Sequence, residues 1–234
     1  MPYPQTYPAD AADADVTDLS GERCPRLSSP SEVARRLAEL DTQYLISQYE
    51  PLDKVAAGRE GGVELVRAQI AGGLLPQPAY RLDDGTDLVP ADYFDLVDAA
   101  GGVGALDDWF RARYAAAAEG LGLPHDDETV DDQWEGCLSG GYFVCLTEAT
   151  PEAIAQKTLY ITTLEELLAR PAPDDPEWAT RLRDTAEALA AIERPGSLLD
   201  QARWGGPMSQ QWYGSYLKGY FPQAFSGGFV RRSG

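Results

Sequence analysis

Three times in this chain a capping residue is followed at once by proline and then by apolar residues at helical spacing: Ser29-Pro30, Thr150-Pro151 and Asp175-Pro176. A serine, threonine or aspartate accepts a hydrogen bond from an orphan N–H of the first turn, and proline fits the first helical position. Each pair therefore fixes a helix start. After Ser29-Pro30, Glu32 completes a capping box, and Val33, Leu37, Leu40 and Tyr44 mark one face until Pro51 disfavours helix just before it. Thr150-Pro151 predicts a helix to about Arg170. After Asp175-Pro176 the stripe Trp178, Leu182, Thr185, Leu189 and Ile192 predicts another. Such a chain folds as helices separated by sharp breaks.

Between these starts, Leu52–Ala57 reads as a short helix, 58–62 as a glycine-rich turn, and Val63, Val66 and Ile70 as a second helix. "GGLLPQP" stops it, and "DDG" at 83–85 predicts a small hairpin. Helix, turn, helix and hairpin form a helix-turn-helix outline with a wing. Further helices are expected over 90–100, around Leu106, Trp109, Phe110 and Tyr114, over 131–138, and over 209–220. The expected fold is mainly α with a small β-hairpin. A helix-turn-helix module over 29–89 precedes a helical main domain over 90–234. Residues 1–28, rich in Pro, Ala, Asp and Ser without apolar periodicity, are expected to be a disordered lead-in.

Charge excludes whole classes of partner. The chain carries 38 acidic against 19 basic residues, a net charge of −19. A field of that sign repels phosphate backbones and anionic lipid, so neither nucleic acid nor membrane is expected as a partner. No apolar run approaches the roughly 20 residues of a membrane span. The first residues lack the cationic start and apolar stretch of a secretory leader. An odd count of cysteines, at 24, 137 and 145, makes no disulfide framework. A cytoplasmic, reduced protein is the expectation. With one histidine, His125, no CxxC pair and no phosphate-binding glycine loop, neither a metal site nor a nucleotide or redox cofactor is expected.

The densest chemistry lies in "WEGCLSGGYFVCLTEATPEAIAQK", residues 134–157. Asp132 and Glu135 flank Trp134, and burial beside an indole is what tunes a carboxylate for acid–base work. Tyr142, after a double glycine that would kink a helix, is a candidate acid or a core residue. Cys145 and Cys137, about two helical turns apart, are buried thiols or a nucleophile paired with His125. No lysine or arginine occurs between Tyr114 and Gln156, so Lys157 stands out as a neutralising cation or an ordinary surface lysine. In "QARWGGPMSQQWY", Arg203 and Trp204 precede a helix start where an anion would be held. Asp132, Glu135, Tyr142 and Lys157 are thus the catalytic candidates. Trp134, Cys145, Arg203 and Trp204 are the substrate-binding candidates, with Lys157 and Arg203 expected to approach the strip's carboxylates.

The strings "YLISQYEPLDKVAA", "GGLLPQPAY", "WEGCLSGGYFVCLTEATPEAIAQK" and "RWGGPMS" together resemble an actinobacterial family of unknown function associated with natural-product biosynthesis. The resemblance runs from about Tyr44 to Pro222. Where that family reads Pro-Ser-Tyr, this chain has Pro78-Ala79-Tyr80. "GGLLPQP" is also similar to the segment after the second helix of MerR-type regulators. A further resemblance points to aziridine-forming proteins of azinomycin-like pathways, which implies an amine displacing a sulfated hydroxyl, with a sulfotransferase-like partner. These resemblances imply a cofactor-independent acid–base or ring-forming enzyme. Its substrate would be a small-molecule or carrier-bound, amino-acid-derived intermediate. The alternative they leave is a non-catalytic regulator or an accessory subunit of an enzyme complex.

Overall fold

The computed structural model describes residues 30–197, 199–206 and 208–225. The expectations for residues 1–28, the cap at Ser29 and Cys24 lie outside the described residues.

The fold is mainly helical with one small sheet. Helix α1 (Pro30–Gln48) leads into β1 (Glu50–Pro51), α2 (Leu52–Ala56) and α3 (Gly62–Ala71). Strands β2 (Tyr80–Arg81) and β3 (Asp87–Val89) form the expected hairpin, closed by a hydrogen bond from the Leu82 N–H to the Thr86 carbonyl. The sheet order is β1-β3-β2, antiparallel throughout, with Glu50 opposite Val89 and Tyr80 opposite Leu88. Helix α4 (Asp95–Ala100) starts later than expected, because Pro90–Phe94 forms turns that bury Tyr93 and Phe94.

Helices α5 (Leu106–Leu121), α6 (Asp127–Leu138) and α7 (Gly141–Cys145) follow. Helix α6 begins four residues before the expected start at 131. Asp126 caps it by accepting from the Thr129 N–H at 2.9 Å, and Asp127 and Glu128 occupy the first turn, where negative charge suits the helix dipole. Long helices α8 (Pro151–Ala169) and α9 (Pro176–Ile192) start at the predicted caps. Thr150 Oγ1 accepts from Ala153 N–H at 3.2 Å, and Asp175 Oδ1 accepts from Glu177 N–H at 2.9 Å. Helix α10 (Asp200–Trp204) is followed by a π-wound segment, Gln210–Tyr216, then α11 (Leu217–Tyr220) and α12 (Pro222–Phe225). The helix expected over 209–220 is therefore present, with its first turns widened to π geometry.

Two hydrophobic clusters hold these elements. The larger joins the sheet and α2–α4 to α5–α7 and the start of α8, with Phe110, Tyr114, Leu52 and Leu88 at its centre. The smaller packs the second half of α8 on α9, the π-wound segment and α12 through Leu164, Leu182, Leu189 and Leu217. Burying each such leucine contributes about 1.5–3 kcal/mol. Helices α2 and α3 and the sheet thus share one core with the helices after them, and the division between cores falls inside α8. Of α1, only the last turns reach inward, through Asp41 and Leu45, while Val33 and Leu37 stay exposed.

One backbone crossing positions the chemistry. The ends of α7 and α9 meet as an isolated antiparallel bridge, Leu146 against Glu193. The Thr147 N–H donates to the Ile192 carbonyl at 3.0 Å, and the Arg194 N–H donates to the Cys145 carbonyl at 3.1 Å. The crossing brings the backbones of Cys145 and Glu193 together, and α8 passes beside them.

Candidate functional site

Helix α6 divides the expected strip into two faces. Val130, Trp134 and Cys137, at helical spacing, are buried, and Trp134 packs on Phe110 with ring centroids 5.1 Å apart. Asp132 and Glu135 lie on the opposite face, in solvent. Adjacent helical residues point about 100° apart, so carboxylates next to Trp134 in sequence are not beside it in the core. Burial pushes the Cys137 thiol up to about 12. The double glycine does break the helix. Gly140 adopts φ +76°, and a side chain there would sit 2.4 Å from the Gln77 carbonyl oxygen. After that break Tyr142 folds back over Gly136 and donates its hydroxyl to Gln133 Oε1. His125 is bonded to the Leu123 carbonyl at 3.0 Å.

Lys157 does meet an acid, but not one from the strip. Its Nζ donates to Glu193 Oε1 at 2.6 Å and to Ser209 Oγ at 3.0 Å, while the Ser209 hydroxyl donates to the same Glu193 oxygen. The Cys145 thiol, which donates to the Tyr142 carbonyl at 3.8 Å, lies close enough to the Lys157 ammonium for each to shift the other. Burial alone would lower the lysine, but Cys145 and Glu193 outweigh it and hold Lys157 above the ordinary lysine value. Burial raises the Cys145 thiol, and Lys157 opposes that shift only in part. The Glu193 side chain is 1% exposed and that of Lys157 11%. Glu193 Oε2 is buried with no hydrogen-bond partner. An unsatisfied buried acceptor costs about 1–3 kcal/mol, so this oxygen is an unused acceptor in an otherwise paired cluster.

Arg203 belongs to a second network. It donates to Asp41 Oδ2 at 2.5 Å and to Asp200 Oδ1 at 3.1 Å, and lies over the Tyr80 ring. Asp200, fully buried, also accepts from the Tyr80 hydroxyl at 2.9 Å and the Ser197 N–H at 2.6 Å. The Ser197 hydroxyl donates to Asp41. Burial would raise Asp41, but hydrogen bonds from Arg203 and Ser197 outweigh it and hold the carboxyl below its usual range. The guanidinium expected to hold a ligand anion is committed to two carboxylates of the chain. Neither Lys157 nor Arg203 is paired with Asp132 or Glu135. Trp204 is 54% exposed.

Glu193, Ser209, Asp41, Asp200 and Ser197 were not singled out from sequence. A signal existed for one of them. Leu182, Ala186, Leu189 and Glu193 recur at the spacing of one helical face, so Glu193 is a charge on an apolar stripe. Lys157 likewise follows buried Ile154 by three residues on α8. Opposite charges on the buried stripes of neighbouring helices are a pairing signal.

Two surface clefts lie elsewhere. The larger, about 240 Å³, is lined by Asp92, Asp95, Glu148, Leu96 and Phe143 among others. The second, about 170 Å³, lies between α3 and the hairpin and includes Arg67 and Asp87. Neither is lined by a member of the Lys157 or Arg203 networks. Among the described residues, no group of three or more His, Cys, Asp or Glu side chains is placed to hold a metal ion. Among them, too, no helix is long and apolar enough to cross a membrane.

Residues 106–219 match the model of a family of unknown function (DUF6058), just under half of the chain. The matched span runs from α5 into α11. It contains Cys145, Lys157, Glu193 and Ser209, and excludes Asp41 and Tyr80. No curated protein and no solved structure matches significantly.

Proposed function

We propose that this chain is a natural-product biosynthesis enzyme that uses acid–base chemistry on an amino-containing intermediate, with Lys157 and Glu193 at its reaction site. The observation that carries the reading is the bare, buried Oε2 of Glu193 beside a buried ammonium. An amine N–H of a substrate satisfies that oxygen, and Glu193 takes its proton. Lys157, held above the ordinary lysine value, stays cationic at neutral pH and stabilises a departing anion. In the specific form proposed, the amine nitrogen bonds to a neighbouring carbon. The C–O bond to a sulfate ester breaks, sulfate leaves with the electron pair, and an aziridine results. A sulfotransferase-like partner supplies the sulfate ester. The resemblance of the four sequence strings supports the biosynthetic setting.

The test is complementation of a strain that lacks the gene. Glu193→Gln keeps the shape of the side chain and removes the base. Product should be lost in a chain that still folds, at a melting temperature lowered because the Lys157 ammonium loses its buried counter-charge. Product at the wild-type level would overturn the reading.

A second reading, a non-catalytic accessory subunit acting on a biosynthetic enzyme, is favoured by the aromatic surface around the π-wound segment. Tyr220 is 68% exposed, and Tyr216 and Trp204 also face solvent. Product retained in Glu193→Gln but lost in Tyr220→Ala would favour it.

A further inference from the structure

Within the Lys157 cluster, burial is graded. Glu193 and Lys157 are buried, while Ser209 is half-buried, at the threshold of the π-wound segment. Ser209 is therefore the most exposed of the three, and its hydroxyl is the first that an arriving substrate meets. Its proton is directed at Glu193 Oε1, and its oxygen accepts from the Lys157 ammonium at 3.0 Å. Glu193 is in turn oriented by Lys157 at 2.6 Å. A hydroxyl bonded to a base that a third group orients is the general geometry of an activated nucleophile.

We infer that Ser209 is a nucleophile that takes the acyl group of a thioester substrate, with Glu193 as its base and Lys157 as the orienting cation. The inference rests on reading the Lys157–Glu193 pair as the reaction site, and names how the acyl group of a substrate is held there. The choice of electrophile follows from the nucleophile: a serine oxygen with a carboxylate base attacks an acyl carbon, and a thioester is the acyl donor whose thiolate departs with least help from an acid. Ser209 Oγ bonds to the carbonyl carbon as its proton passes to Glu193. The C–S bond breaks, the thiolate leaves with the electron pair, and Glu193 returns the proton to sulfur. Serine ester and free thiol are the products, and no oxidant or reductant is needed. Lys157 stabilises the negative charge that develops during attack. π-wound turns occur often at functional sites, because the extra residue displaces a side chain from the regular helical ladder.

The experiment treats the full chain with the N-acetylcysteamine thioester of acetate and, separately, with a fluorophosphonate. Intact mass and peptide mapping follow. One adduct at Ser209 is expected, absent in Ser209→Ala and retained as acyl transfer in Ser209→Cys. In Lys157→Met it should form about 100-fold more slowly or worse. Melting temperatures establish that each variant is folded. No adduct on the folded wild type, an adduct that persists in Ser209→Ala, or an adduct mapped to Cys145 overturns the inference. The two readings fail separately in the complementation strain. Product kept by Ser209→Ala and lost by Glu193→Gln sinks the nucleophile and leaves the base. Product kept by both sinks both.

Discussion

Arg203 and Asp41 are 162 positions apart in the chain and meet as an ion pair at 2.5 Å, which ties α10 to α1. The same guanidinium neutralises Asp200, so one cation serves two buried carboxylates. Arg203→Met leaves both without it. Removing one partner of a buried pair costs about 3–5 kcal/mol. Arg203 is 34% exposed, so solvent screening places the loss at the low end, about 3 kcal/mol. Thermal unfolding should fall by roughly 6–12 °C. The pH dependence has a definite sign. In the wild type the lowered Asp41 carboxyl contributes stability that is present above about pH 4 and lost as pH falls through its folded value. In Arg203→Met that carboxyl lacks its cation, so acidifying from pH 7 to 5 should narrow the gap to wild type. A melting series across pH checks both effects.

Lys157→Met and Glu135→Gln should behave in opposite ways. Lys157→Met strands Glu193 in the interior, at a cost of about 3–5 kcal/mol. The double variant Lys157→Met/Glu193→Gln should recover part of that loss, since a neutral amide is cheaper to bury than a carboxylate. Glu135 faces solvent, and its substitution should stay within about 0.5 kcal/mol of wild type. The raised Lys157 sets an alkaline limit. Its contribution is present through neutral pH and is lost only as pH rises past about 10. Denaturant melts of the three variants and an alkaline series of the wild type are the measurements.

Gly140→Ala should be among the most damaging single-methyl additions. The position has φ +76°, and the new carbon would meet the Gln77 carbonyl oxygen at 2.4 Å, a backbone atom that cannot rotate away. Strain of a non-glycine residue there is about 1–3 kcal/mol, and the clash adds to it. The Gln77 N–H to Leu138 carbonyl bond, 2.8 Å, should be disrupted with it. Amide hydrogen exchange at Gln77, with a thermal melt, reads the effect.

Duplex DNA should not bind, despite the helix-turn-helix outline. The one arginine of α3, Arg67, is held by Asp53 at 2.6 Å and by Asp87 at 3.1 Å. A guanidinium paired twice must give up those carboxylates to meet a phosphate, and the surrounding field is repulsive. An anisotropy titration against duplex DNA should show no salt-sensitive binding tighter than about 1 µM.

Elements set by neighbours in sequence were legible in advance. The caps at Thr150 and Asp175 act within three residues, and the hairpin needs only Asp83-Asp84-Gly85. The π winding was not legible, because Trp212, Tyr216 and Tyr220 recur at ordinary α spacing. The site divides in the same way. Lys157 stood out by its isolation, yet its partner Glu193 lies 36 residues away and reaches it through a backbone crossing that no local pattern announces. Asp132 and Glu135 stand beside Trp134 in sequence, and proximity along a helix rotates a side chain out of the shared face. Arg203 reads from sequence as an anion holder at a helix start, but Asp41 is too distant in sequence to reveal that the guanidinium is already paired.

The bridge between Leu146 and Glu193 joins two stretches of chain that each own half of the Lys157 cluster. Cys145 and Lys157 precede the exposed connection near residues 171–175, and Glu193 and Ser209 follow it. A nick in that connection leaves each fragment with half of a charged pair, solvated and unremarkable on its own. Reassembly alone brings ammonium and carboxylate together out of water, so the site doubles as a reporter of whether its two halves have found each other.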